Sequence, residues 1–131
     1  MSSKPDSRKP GLYRVEVWEE VRTLDVPDLD KDVQRAAAEV VKELHYNPYL
    51  GDTTFEEHEF PLSGCRKVKF DAPDERGRQR KQPRFRLVYR NEPSDGSIAV
   101  VAIIAIIAIR ERSNLIAYRI AKLRLARHEG R

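Results

Sequence analysis

Two short stretches of the chain carry basic residues at alternating positions. In Cys65-Arg66-Lys67-Val68-Lys69-Phe70-Asp71, read as a strand, Lys67 and Lys69 share a face with Cys65. In Arg84-Phe85-Arg86-Leu87-Val88-Tyr89-Arg90, Arg84, Arg86 and Arg90 share a face with Val88, while Phe85, Leu87 and Tyr89 take the other. If the two strands pair through the segment between them, a row of Lys lies beside a row of Arg. Like charges in adjacent rows repel, so the pattern suits a surface that meets an anion or an acidic partner; solvated residues on an open sheet face are the plainer reading. A further pair, Arg110 and Arg112, follows a long apolar run at the start of a helix, where free N–H groups favour anions.

Other chemistries have little support. Cys65 is the sole cysteine, so an internal disulfide is excluded. Its neighbours Arg66 and Lys67 could lower its pKa, but a small buried strand residue accounts for it. His58 sits among the carboxylates of Phe55-Glu56-Glu57-His58-Glu59-Phe60 with no second His or Cys nearby, which reads as a solvated loop and not a metal site. His45 and His128 fall at helix ends, where an imidazolium favours the dipole. There is no glycine-rich nucleotide motif and no Ser-His-Asp signature, and no cofactor or metal is expected.

The elements that must position the basic rows are organised around Ile98 to Ile109 (IAVVAIIAIIAI). This run is too short for a bilayer-spanning helix of roughly 20 residues, and its Val and Ile favour a strand over a buried helix. A strand apolar on both faces belongs in the middle of a covered sheet. Leu12 to Val21 alternates in part and reads as a strand, with a turn at Thr23 to Pro27. Val33, Ala36, Ala37, Val40, Val41 and Leu44 form one helical stripe that must end before Pro48, with Asp28, Asp30 and Asp32 placed to cap its start. The polar stretch Pro73 to Pro83 reads as a flexible hairpin loop. A helix over Asn114 to Arg127 follows, with Ser113 as N-cap and Ile116, Ile120 and Leu123 on one side. The order is strand, helix, three strands, helix. The expected fold is α+β: a small antiparallel four-stranded sheet packed with an N-terminal helical segment and a C-terminal helix, one domain over residues 12–131 behind a disordered tail at 1–11.

The formal net charge of +4 conceals an asymmetry: residues 1–63 carry 8 Lys/Arg against 14 Asp/Glu, and residues 64–131 carry 17 against 7. The second half has the electrostatics of something that meets phosphate or acidic surface. With no charged-then-apolar leader and no membrane span, a cytoplasmic setting is expected.

The order of elements, together with Asn47-Pro48-Tyr49-Leu50-Gly51, Leu62-Ser63-Gly64-Cys65-Arg66-Lys67-Val68, Phe85-Arg86-Leu87-Val88-Tyr89-Arg90 and the apolar strand running into Arg110-Glu111-Arg112-Ser113 and Tyr118, resembles the RelE/ParE family of bacterial toxins from toxin-antitoxin pairs. The resemblance spans roughly Leu12 to Arg127. It implies a cognate antitoxin as partner and, in the ribonuclease branch, cleavage of mRNA at the ribosome without a metal. The catalytic set implied by position is Lys67, Lys69, Arg86, Arg112 and Tyr118, with Arg66, Arg84, Arg90 and Arg110 as further RNA contacts. The loop at Pro73 to Pro83 is longer than the family's pattern, the Arg-to-Tyr register is open between Arg110 and Arg112, and Tyr118 among apolar neighbours also fits a core. The other branch inhibits DNA gyrase and lacks this set, so a non-enzymatic inhibitor or a catalytically inactive relative is the alternative.

Overall fold

A computed structural model describes residues 13–53, 64–106 and 111–129, with side chains from residue 118 onward in the last stretch. Expectations for the tail at 1–11, for His58, for the end of the apolar run beyond residue 106 and for Arg110 lie outside the described residues. Strand β1 covers Val15–Val17, helix α1 Lys31–Leu44, β2 Cys65–Phe70, β3 Phe85–Asn91, β4 Ile98–Ala105 and helix α2 Glu111–Glu129.

The sheet order is β1-β4-β3-β2, so β4 lies inside the sheet with a neighbour on each side. Ile98, Ala99, Val100, Val101, Ala102 and Ile104 are all buried, as an apolar two-faced strand requires. The three consecutive strands β2, β3 and β4 form the expected antiparallel meander. The sheet as a whole is mixed, however, because β1 pairs parallel to β4 with Val15 opposite Ile98. Because β2 and β4 also run the same way, β1 and β2 are parallel at opposite edges of the sheet, and the helical connection between them supplies the crossover such a direction needs; alternation alone does not reveal it.

The α1 stripe is realised: Val33, Ala37, Val40 and Leu44 are buried in the common core, with α1 packed beside β2. Asp30 occupies the N-cap position but its carboxylate bonds no helix N–H; the entry is held by Gln34, whose side-chain amide donates to Val26 O (2.9 Å) and Leu29 O (3.0 Å). Helix α2 starts at Glu111, three residues earlier than the sequence suggests, so Ser113 lies within it and is not its N-cap.

The buried face of α2 also differs from expectation. Tyr118, Ala121, Arg124 and Leu125 are turned inward, whereas Ile120 and Leu123 are 45% and 59% exposed. The reason is an ion pair. Arg124 meets Asp25 in two contacts, Nη1 to Oδ2 at 2.8 Å and Nη2 to Oδ1 at 2.9 Å, with both side chains almost wholly buried. Beyond Val100 the short β1 no longer covers the edge of β4, and the pair takes its place: Asp25 Oδ2 accepts from Ile103 N–H (2.9 Å) and Arg124 Nη1 donates to Val101 O (3.1 Å). Two ladder groups that would be orphaned inside the protein are thereby satisfied.

Candidate functional site

The motif strings meet at one point. The Tyr89 hydroxyl donates to Pro48 O (2.9 Å) and accepts from Gly51 N–H (2.9 Å), while Asn91 Nδ2 also donates to Pro48 O (3.0 Å). Arg66 Nη1 donates to Gly51 O (2.8 Å), and its guanidinium lies 5.0 Å from the centroid of the Tyr49 ring. Asp52 and Lys67 exchange both backbone hydrogen bonds at 3.0 Å, adding a bridge outside β2. Asn47 to Gly51 is thus pinned to β3 and β2 by groups from the other two strings. Burial pushes the Tyr89 hydroxyl's pKa up, against the hydrogen bond from Gly51, so the phenol stays protonated and keeps both bonds.

Gly51 is required by close approach. A Cβ there would stand 2.5 Å from Lys67 O, a backbone atom with nowhere to go. Gly51→Ala is therefore expected to displace the Asp52–Lys67 bridge and cost ~1–3 kcal/mol by overpacking, read as a lower denaturant midpoint. An unchanged midpoint would remove this bridge from the account of the site.

The bridge matters because it delivers Lys67. Lys67 is buried, with Nζ 2.9 Å from Asp52 Oδ1. Two residues along β2, Lys69 is exposed and stands opposite Arg86 of β3 in the ladder. Arg86 is half-buried and its Nη1 donates to Pro83 O (2.9 Å) and Phe85 O (3.0 Å). Neither Lys69 nor Arg86 makes an ion pair among the described residues, and they lie one ladder position from the β2–β3 loop, since Phe70 opposite Phe85 closes the pairing. Two cations are thus placed side by side, as alternation suggests, at the end of the sheet that faces the loop.

The other basic candidates have neighbours of their own. Arg84 forms a two-pronged contact with Asp71, Nε to Oδ2 at 2.7 Å and Nη2 to Oδ1 at 2.8 Å. Burial pushes the Asp71 carboxyl up, but hydrogen bonds from the Arg84 side chain and from the Arg84 and Ala72 backbones outweigh this and hold it below the usual carboxylate range. Arg90 reaches Glu129 (2.8 Å) and Glu92 (3.2 Å), and lies over the Trp18 ring, itself stacked on His128 at a centroid distance of 3.5 Å. These contacts fasten the end of α2 to the sheet. No sequence signal marked the contacts with Glu129, Trp18 and His128, because those partners are far apart in the chain. Tyr118 is buried at 6% exposure and belongs to the core cluster. Arg112 lies in the first turn of α2, and its side chain is outside the described residues.

The remaining nucleophile is silent. Burial pushes the Cys65 thiol up to about 11 despite the nearby Arg90, so it is protonated at neutral pH. Among the described residues no three His, Cys, Asp or Glu side chains gather as metal ligands would, and no helix there is long and apolar enough to cross a membrane. The arrangement offers cationic stabilisation of an anion at Lys69 and Arg86.

No protein-family model matches the chain, and no curated protein matches it. Among solved structures, it is similar to a mutant of the E. coli toxin RelE in the free state, at 17% sequence identity and a TM-score of 0.49, over 79% of this chain and 94% of that one. The α+β class, the strand order and the site geometry rest on the structure of the chain itself.

Proposed function

We propose that this chain is the toxin of a type II toxin-antitoxin pair, a metal-independent endoribonuclease that cuts ribosome-bound mRNA in the cytoplasm and is held inactive by a cognate antitoxin. The observation that carries this reading is the placement of Lys69 directly opposite Arg86, two cations side by side with no carboxylate between them. RNA cleavage of this kind needs little more: a ribose 2′-hydroxyl attacks the adjacent phosphate, and the extra negative charge on the phosphorane is stabilised by fixed cations. Arg86 and Lys69 serve the phosphate. Lys67, whose charge is balanced by Asp52, anchors the β2 segment that carries Lys69. The sequence resemblance adds Arg112 at the start of α2, where N–H groups also favour a phosphate, and Tyr118 for proton transfer. The resemblance also implies Arg66, Arg84, Arg90 and Arg110 as RNA contacts, although Arg66, Arg84 and Arg90 already bond groups of the same chain.

A second reading, a non-enzymatic inhibitor of gyrase or another protein, is favoured by the burial of Tyr118 and by the engagement of Arg66, Arg84 and Arg90 with groups of the same chain. Inducing the protein alone in cells separates the two. Ribonuclease action gives an early stop in translation with mRNA cut at ribosome-occupied positions while DNA supercoiling persists. Loss of supercoiling before any cut in mRNA would transfer the assignment to the inhibitor.

A further inference from the structure

The loop joining β2 to β3 is not the flexible connection its composition suggests. At its base Asp71 holds Arg84 in the two-pronged contact above, and Arg80 Nε donates to Ala72 O at 3.1 Å. At its tip Asp74 organises the backbone. Its Oδ1 accepts from Arg76 N–H and Arg78 N–H at 2.9 Å each, its N–H donates to Arg78 O at 2.8 Å, and its carbonyl accepts from Gly77 N–H at 2.9 Å. Gly77 takes the left-handed conformation at φ 78° that lets the chain close in this way.

This scaffold displays charge. Arg76, Arg78 and Lys81 are exposed and form no ion pair among the described residues. The Asp74 carboxylate is occupied by backbone N–H groups, leaving Glu75 as the one other acid at the tip. The loop springs from the ladder one position beyond Lys69 and Arg86, so its cations follow that pair directly along the chain. Arg80, among these, is 3.7 Å from Asp71; the three cations without an ion pair among the described residues still lie within six residues and repel one another, and a loop that fixes them is suited to a ligand carrying several spaced negative charges. Guanidinium groups match phosphate in particular through their planar fork. A loop already ordered also loses little entropy on binding.

We propose that the loop over Pro73–Pro83 is a phosphate-backbone docking element for RNA, with Arg76, Arg78 and Lys81 contacting phosphates outside the site of cleavage. The assignment rests on the reading of RNA as substrate but not on catalysis, and binding separates the two. The probe is an oligoribonucleotide methylated at every 2′-oxygen, which binds but lacks the attacking hydroxyl. Its affinity is measured against salt concentration for the wild type and for the triple variant Arg76→Gln, Arg78→Gln, Lys81→Gln, after melting curves establish that both are folded.

Each lost contact to a single strand lowers the slope of log K against log salt by about 0.7, so the triple variant is expected to lose about 2 from the slope and on the order of 10²-fold in affinity near 0.1 M salt. Arg76→Lys with Arg78→Lys keeps the charge and is expected to retain the slope. A folded triple variant with unchanged slope and affinity overturns the proposal, as does a wild type that does not bind the probe. If the triple variant keeps RNA binding but loses binding to polyglutamate, the loop serves an acidic protein partner and the proposal likewise falls. A loop-dependent slope in a wild type that cuts no unmodified RNA upholds the docking element and removes the nuclease reading alone.

Discussion

Asp25→Ala is expected to lower the free energy of unfolding by ~3–5 kcal/mol, the loss found when one partner of a buried ion pair is removed. Against a total stability of ~5–15 kcal/mol this leaves a marginal protein. The size follows from what remains behind. Among the described residues, the Arg124 guanidinium, with its side chain 7% exposed, keeps only Val101 O as a hydrogen-bond partner, and Ile103 N–H loses its acceptor. Both defects sit on the inner strand of the sheet, so relaxation toward water means parting β4 from its cover. Replacing both residues, with Asp25→Ala and Arg124→Met together, removes the isolated charge and should cost less than the sum of the single changes, although Val101 O and Ile103 N–H stay unmet. Denaturant midpoints of the four proteins check this. A loss below ~1 kcal/mol for Asp25→Ala would show that water enters the pair and that it does not seal the sheet edge.

That pair also marks where the sequence stops being legible. The α1 stripe and the two-faced β4 can be read because burial there is achieved by apolar residues at regular spacing, Val33 to Leu44 in one case and Ile98 to Ile104 in the other. In α2 the same rule selects Ile120 and Leu123 for the core and fails, since the inward place is filled by Arg124. Nothing local tells a buried arginine from a solvated one. Its partner is 99 residues earlier, in a segment whose only signal is a turn before Pro27. The parallel pairing of β1 is hidden for the same reason, a contact set by the path of the chain.

The site divides along similar lines. Alternation suffices to put Lys67 and Lys69 on one face and Arg86 on the neighbouring strand, and the ladder register then brings Lys69 to Arg86. Alternation also groups Arg84 and Arg90 with them, but Asp71, Glu92 and Glu129 draw those two into the framework. The strings that carry the family resemblance turn out to bond one another through Tyr89, Gly51 and Arg66. They secure the geometry of the sheet edge from which Lys67 and Lys69 project.

Arg86→Ala is expected to reduce RNA cleavage by ~10²–10³-fold with the fold intact, the effect of removing one preorganised donor to a developing oxyanion. Its two hydrogen bonds run to Pro83 O and Phe85 O at the mouth of the loop, where water can replace the guanidinium, so the melting temperature should change little. Those same bonds aim the group: with Nη1 tied to the backbone, the rest of the planar fork is held in place beside Lys69 and need not be ordered when substrate arrives. Arg86→Lys keeps the charge and loses the fork, and should recover only part of the rate. Cleavage of a labelled oligoribonucleotide under single-turnover conditions, with melting curves alongside, measures both effects. A folded Arg86→Ala protein that cuts at the wild-type rate would remove Arg86 from the chemistry, and with it the Lys69–Arg86 pair on which the ribonuclease assignment rests.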